Sequence, residues 1–204
     1  MFGGDKMTGF IILFIFAISA LLIALFMILG DKKYAAQKTK YVDIFIQQHK
    51  IHVSDIFIGS YFDLVHDART KTIWFFHLHK KTLQFKEMPY AQIHQVKWEI
   101  DKSLIHSTTS KNPLKRDLLT KKTSTKEDVD IEVHDQYRVK EAMLSILIDE
   151  TEPKVFDLVF ISVNRPKPFE EVKQSDIAKW YDLFVSIIEE NDNLDKVGTD
   201  SSST

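Results

Sequence analysis

Between Lys6 and Asp31 lie twenty-four residues without a charge, and from 10 to 29 nearly all are large and apolar. At about 1.5 Å per residue, twenty helical residues span roughly 30 Å, the thickness of a bilayer's hydrocarbon core. The pattern predicts a transmembrane helix over 10–30, preceded by a short tail, 1–9. A cleaved secretory signal fits poorly. The head offsets its one lysine, Lys6, with Asp5, the apolar run is too long, and the small pair Ala35-Ala36 lies behind Asp31-Lys32-Lys33-Tyr34.

Beyond the run the periodicity changes. In 31–50 the apolar positions Tyr34, Tyr41, Val42, Phe45 and Ile46 partly follow helical spacing, which predicts a short juxtamembrane helix. From 51 to 100, short β-rich runs separated by turn residues predict an antiparallel sheet. Strands are expected at 51–58, 61–65, 72–78, 82–86 and 93–100. Ile73-Trp74-Phe75-Phe76 is apolar on both faces and reads as a central strand. Val96, Trp98 and Ile100 alternate with Gln95, Lys97 and Glu99, the pattern of a half-buried strand.

Residues 101–130 are rich in Ser, Thr and Lys and read as a long loop, with one helical turn near Leu114, Leu118 and Leu119. Strands return at 142–148 and 155–163 as a hairpin. Pro166 and Pro168 are expected to end the sheet, since each lacks a ladder donor. Ser175 and Asp176 then open a helix carrying Ile177, Trp180, Tyr181, Phe184, Ile187 and Ile188 on one broad stripe, which must pack on the sheet. Glu189-Glu190-Asn191-Asp192 is expected to close that helix, leaving a disordered tail over 192–204. The fold class is α+β: an N-terminal transmembrane helix, an antiparallel β-sheet and a C-terminal amphipathic helix, with one domain over 51–191.

Charge narrows the function. With 27 basic against 29 acidic side chains, no global positive field draws nucleic acid. Lysines flank the apolar run unequally, Lys6 before it and Lys32, Lys33, Lys38 and Lys40 after it, which places the C-terminal domain in the cytoplasm of a single-pass cell-membrane protein. Those lysines favour anionic headgroups. The loop concentrates Lys111, Lys115, Arg116, Lys121 and Lys122 against Asp117, making these five the candidate surface for a lipid or protein partner.

Candidate chemistry is thin. His77 and His79 share a strand face at about 7 Å, but two ligands do not close a metal site. The chain has no cysteine and no HExxH or G-x-S-x-G motif, so no catalytic residue, metal or cofactor is assigned. Asp157 interrupts an apolar strand and reads as a residue of the sheet's wet face, while Trp74 and Trp98 read as packing residues.

Strands, a loop, a final hairpin and a terminal helix bearing Trp180 within Asp176-Ile177-Ala178-Lys179-Trp180-Tyr181-Asp182-Leu183-Phe184 resemble, in order, the pleckstrin-homology-like fold. The matching span is 51–191, as a partly open barrel or sandwich. The chain is also similar to uncharacterised single-span bacterial membrane proteins, through the strand ending at Asp67, the strand over 73–78, and Tyr90-Ala91-Gln92-Ile93 leading to Trp98-Glu99-Ile100-Asp101. The resemblance implies a non-catalytic interaction or scaffolding module that presents loops or a sheet edge to a membrane or cytosolic protein. The alternatives are an anionic-lipid-binding surface and, last, a membrane-bound hydrolase. Phosphoinositide-binding members place basic residues around their first hairpin, whereas Ile58-Gly59-Ser60-Tyr61 here is short and uncharged, which argues against inositide recognition there.

Overall fold

The computed structural model describes residues 4–111, 138–149 and 154–200; the side chains of 4–13, 15, 27, 28, 31, 32 and 195–200 lie outside that description. The chain gathers into two compact units, Met1–Ile51 with His77–Gln84, and His52–Phe76 with Phe85–Thr204.

Unit 1 is built on one helix, α1 (Gly4–His49). The expected tail, span and juxtamembrane helix are therefore a single element. No proline occurs before Pro89, and Asp31 to Lys40 are mostly good helix formers, so nothing breaks the backbone where the apolar run ends. Every described side chain from Phe14 to Gly30 is exposed. Among the described residues no helix is long and apolar enough to cross a membrane; seven of the twenty side chains expected to span it, at 10–13, 15, 27 and 28, lie outside the description. Further along, Lys38, Val42 and Phe45 are buried at helical spacing, and Tyr34, one turn earlier on that face, donates its hydroxyl to the Leu78 carbonyl. Lys38, expected at the membrane surface, is instead fully buried. The helix ends in a Schellman motif: Ile51 N–H donates to the Ile46 carbonyl at 3.0 Å, and Lys50 takes the left-handed position at φ 53°.

Unit 2 is centred on two four-stranded antiparallel sheets. The first has the order β1 (Asp55–Ile58), β2 (Phe62–Asp67), β3 (Thr72–His79), β4 (Thr82–Pro89). The tip of the β3–β4 hairpin belongs to unit 1. The second has the order β6 (Ser103–Thr109), β5 (Ile93–Ile100), β7 (Arg138–Ile148), β8 (Lys154–Pro168). Two helices follow, α2 (Phe169–Lys173) and α3 (Asp176–Asp200). Val96, Trp98 and Ile100 of β5, Ala142, Leu144, Ile146 and Ile148 of β7, and Leu158 of β8 form one core with Ile177, Trp180, Phe184, Ile187 and Ile188 of α3. The amphipathic stripe thus packs on the second sheet, as its spacing predicts. Phe57 of β1 meets Phe160 of β8 at 4.6 Å between ring centres, joining the sheets at one corner.

Three expectations are corrected. The loop over 101–130 begins as a strand, because Asp101 and Lys102 turn the chain at φ 47° and 69° and β6 pairs with β5. A polar edge strand has no sustained apolar alternation to reveal it. The prolines do not end the sheet: β8 runs to Pro168, and Val139 pairs with Lys167. As an edge strand, β8 leaves one row of backbone groups outside the ladder, where a missing N–H costs nothing. Finally, α3 does not close at Asp192 but continues to Asp200, so 192–200 is helix and not tail.

Candidate functional site

Of the five basic candidates, Lys111 is exposed, with its backbone N–H donating to Asp192 Oδ2 at 2.8 Å. Lys115, Arg116, Lys121 and Lys122 lie outside the described residues. The structure instead gathers ionisable groups where β2 ends, at the Asp67 that closes the strand in the sequence pattern.

There β2 runs buried from Phe62 to Asp67, and the chain turns sharply. Asp67 caps the turn: one carboxylate oxygen accepts from Arg69 and Thr70 N–H at 3.0 and 3.1 Å, the other from His52 N–H at 3.0 Å. Burial works to raise this carboxyl, but those bonds outweigh it and hold its pKa below the usual range. Beside it the buried His66 ring is hydrogen-bonded to the Tyr90 hydroxyl. Burial pushes the imidazole down, opposed by Asp55 and Asp67, and pushes the phenol up, helped by Glu190 and Asp67. Asp55 lies opposite His66 in the β1–β2 register and pairs with Lys179 of α3 at 2.5 Å. Burial would raise Asp55, yet Lys179, the Ile56 N–H and His66 together bring it below its ordinary value.

The far end of α3 completes the cluster. Glu190 pairs with Lys71 at 2.6 Å, and Asn191 donates to the Tyr90 carbonyl at 2.6 Å. Asp192 accepts from the Ser110 hydroxyl and from Lys111 N–H. Three consecutive polar residues thus fasten the helix to the β2–β3 turn, the 3₁₀ turn Tyr90–Gln92 and the end of β6. The signal was present in the sequence: Asn191 and Asp192 stand three and four residues past Ile188, so they continue the buried face.

Chemically this cluster is a clamp. Both Asp67 oxygens are committed to backbone donors, so Asp67 does not orient His66 as the acid of a catalytic triad would. The wet face of the second sheet is more open: a shallow trough of about 290 Å³ lies among Gln95, Lys97, Glu99, Met143, Ser145, Leu147, Val155 and Asp157. Asp157 accepts from the Ser145 hydroxyl at 2.7 Å on this exposed face, where the alternation had placed it. Trp98 packs with Tyr181 at 5.8 Å between ring centres, and Trp74 with Phe85 at 6.2 Å. His77 and His79 stand 6.3 Å apart, and among the described residues no three His, Cys, Asp or Glu side chains come together to hold a metal ion. No protein family, curated protein or solved structure matches this chain.

Proposed function

We propose that the chain is a single-span membrane protein, in which the first part of α1 lies in the bilayer and unit 2 is a non-catalytic interaction module on its cytoplasmic side. The observation that carries this reading is the exposure of the apolar run. Phe16 is 73% and Phe26 81% exposed, and Leu21, Leu22 and Ile23 stand open beside them. Each such side chain gains about 1.5–3 kcal/mol on leaving water, and a contiguous apolar surface of this length calls for a partner. Lipid answers it best, because no charge interrupts the run between Lys6 and Asp31.

The module reading draws on the His66–Tyr90 clamp, which ties elements together, and on the trough, which is open and mixes apolar with charged groups. The pleckstrin-homology-like resemblance is supported by two antiparallel sheets followed by a helix with buried Trp180. The alternative, an anionic-lipid surface, is favoured by the exposed Lys33 and Lys40 just past the run.

The test uses the absence of cysteine. A single cysteine substituted for Ser202 is treated with a membrane-impermeant maleimide in intact and lysed cells, and the membranes are extracted with alkaline carbonate. Retention in the membrane with labelling only after lysis is expected. Release by carbonate would overturn the anchor, and labelling in intact cells would overturn the orientation.

A further inference from the structure

We propose that the tip of the β3–β4 hairpin is a second membrane contact, in which Lys80 and Lys81 bind anionic lipid headgroups. This rests on the anchoring role given to α1. The tip belongs to unit 1, with the helix, and not to unit 2 with the rest of its hairpin. Its attachment is specific: Tyr34 of α1 donates its hydroxyl to the Leu78 carbonyl, two residues before the turn. Tyr34 itself lies four residues past Gly30, about 6 Å along the helix from the end of the apolar run. A tyrosine at that depth is the usual marker of a membrane–water boundary.

The Tyr34 side chain leaves the helix tilted toward its N-terminus and so toward the apolar run, and two residues of strand add about 7 Å, so the turn lies within roughly 13 Å of the hydrocarbon edge. Headgroups occupy about 5–7 Å of that distance, and the remainder is within a Debye length of about 8 Å.

Chemistry at the turn matches the location. Lys80 and Lys81 are exposed and make no hydrogen bond or ion pair with another described residue. Their φ values, 46° and 69°, are those of a two-residue turn that favours Asn-Gly. Two lysines occupy it against backbone preference, where a neutral turn would serve the hairpin better. Unit 1 beyond the apolar run carries seven lysines against two aspartates, although the whole chain is at −2. Of these lysines Lys38 is buried, so Lys80 and Lys81 restore the outward charge that Lys38 does not supply.

The experiment takes the full chain with a single cysteine substituted for Thr82, labels it with bimane and reconstitutes it into phosphatidylcholine vesicles containing phosphatidylserine. Flotation reports anchoring, and quenching by a headgroup spin label reports the tip. Flotation is expected, with the bimane at position 82 quenched about threefold more than one placed at position 202. That excess should fall in 1 M salt and in Lys80→Asn/Lys81→Gly, as for an electrostatic contact. A chain that fails to float overturns the anchor and this contact with it. A chain that floats with equal quenching at both sites, or with an excess unchanged by the double substitution, overturns the contact alone. The Asn-Gly turn preserves the hairpin, so loss of quenching there is not loss of fold.

Discussion

Unit 1 and unit 2 are held by opposite physics. Unit 1 carries eight lysines against three aspartates, a balance of +5; unit 2 carries nineteen basic against twenty-six acidic residues, a balance of −7. Unit 1 is mostly one helix whose backbone bonds are local and whose described apolar side chains over 14–30 stand exposed. Unit 2 closes long sequence distances, with β5 pairing to β7 across residues 101–137 and α3 returning to turns about a hundred residues earlier. A helix of local bonds survives damage elsewhere, whereas a core of non-local contacts fails as a whole. The division also suits a protein read as membrane-bound: one unit exposes an apolar run, and the other buries its apolar residues in a core of its own.

The sharpest way to break this contrast is Trp180→Ala. Trp180 is 1% exposed in the core that joins α3 to the second sheet. Removing it is expected to cost about 3–5 kcal/mol, enough to unfold a marginal unit. In detergent, near-ultraviolet circular dichroism is expected to collapse while much helical signal from α1 persists. Equal loss of both signals would show that the units melt as one.

Gly59→Ala comes next. Gly59 does not have positive φ; its constraint is space, since a Cβ would meet a Phe57 ring carbon at 2.6 Å and the Phe62 carbonyl at 2.7 Å. A backbone oxygen cannot swing aside, so the β1–β2 turn must shift, at about 1–3 kcal/mol. Urea denaturation should show a lower midpoint for unit 2 alone. Asp192→Ala should cost a similar or slightly smaller amount, about 1–3 kcal/mol, because the Ser110 hydroxyl and Lys111 N–H lose their acceptor. Asp192→Asn, which keeps one acceptor, should recover part of it.

How much of this was legible follows from which contacts are local. The strands over 72–78 and 93–100 and the stripe of α3 were readable because side-chain alternation and helical spacing report burial directly. The turn at Asp101-Lys102 was not, since every positive-φ residue described is Lys or Asp and none is glycine. Without the Asn-Gly signal, β6 was absorbed into a loop. The clamp was missed for a related reason: Glu190, Asn191 and Asp192 look like a solvated helix end until Lys71, Tyr90 and Ser110 are brought to them by the sheets. Lys38 defeats composition altogether, as a buried lysine within a basic flank is indistinguishable in sequence from exposed companions such as Lys33 and Lys40.

A smaller effect comes from His66. Burial lowers its folded-state pKa against the pull of Asp55 and Asp67. The unfolded chain therefore takes up the proton first, so the stability His66 contributes is full above about 6.5 and is lost as pH falls from there through the folded value. Unit 2 should lose stability over that window and unit 1 should not. His66→Gln, which can still bond the Tyr90 hydroxyl, should flatten the slope; an unchanged slope would assign it to another group.

The least effect, and the one of opposite sign, belongs to the hairpin tip. Lys80 and Lys81 hold φ values that a side chain with a Cβ resists, at about 1 kcal/mol or more per residue. Lys80→Asn/Lys81→Gly should relieve part of that strain and raise stability by up to about 1 kcal/mol, read as a higher denaturation midpoint in detergent. At this turn the same change strips two exposed charges from the unit that carries the positive balance, so a more stable protein that has lost its headgroup contact would identify the strain as the cost of holding lysine there. A double variant no more stable than the parent would mean that the tip accommodates lysine freely, and the residue choice at the turn would then carry no information about the membrane.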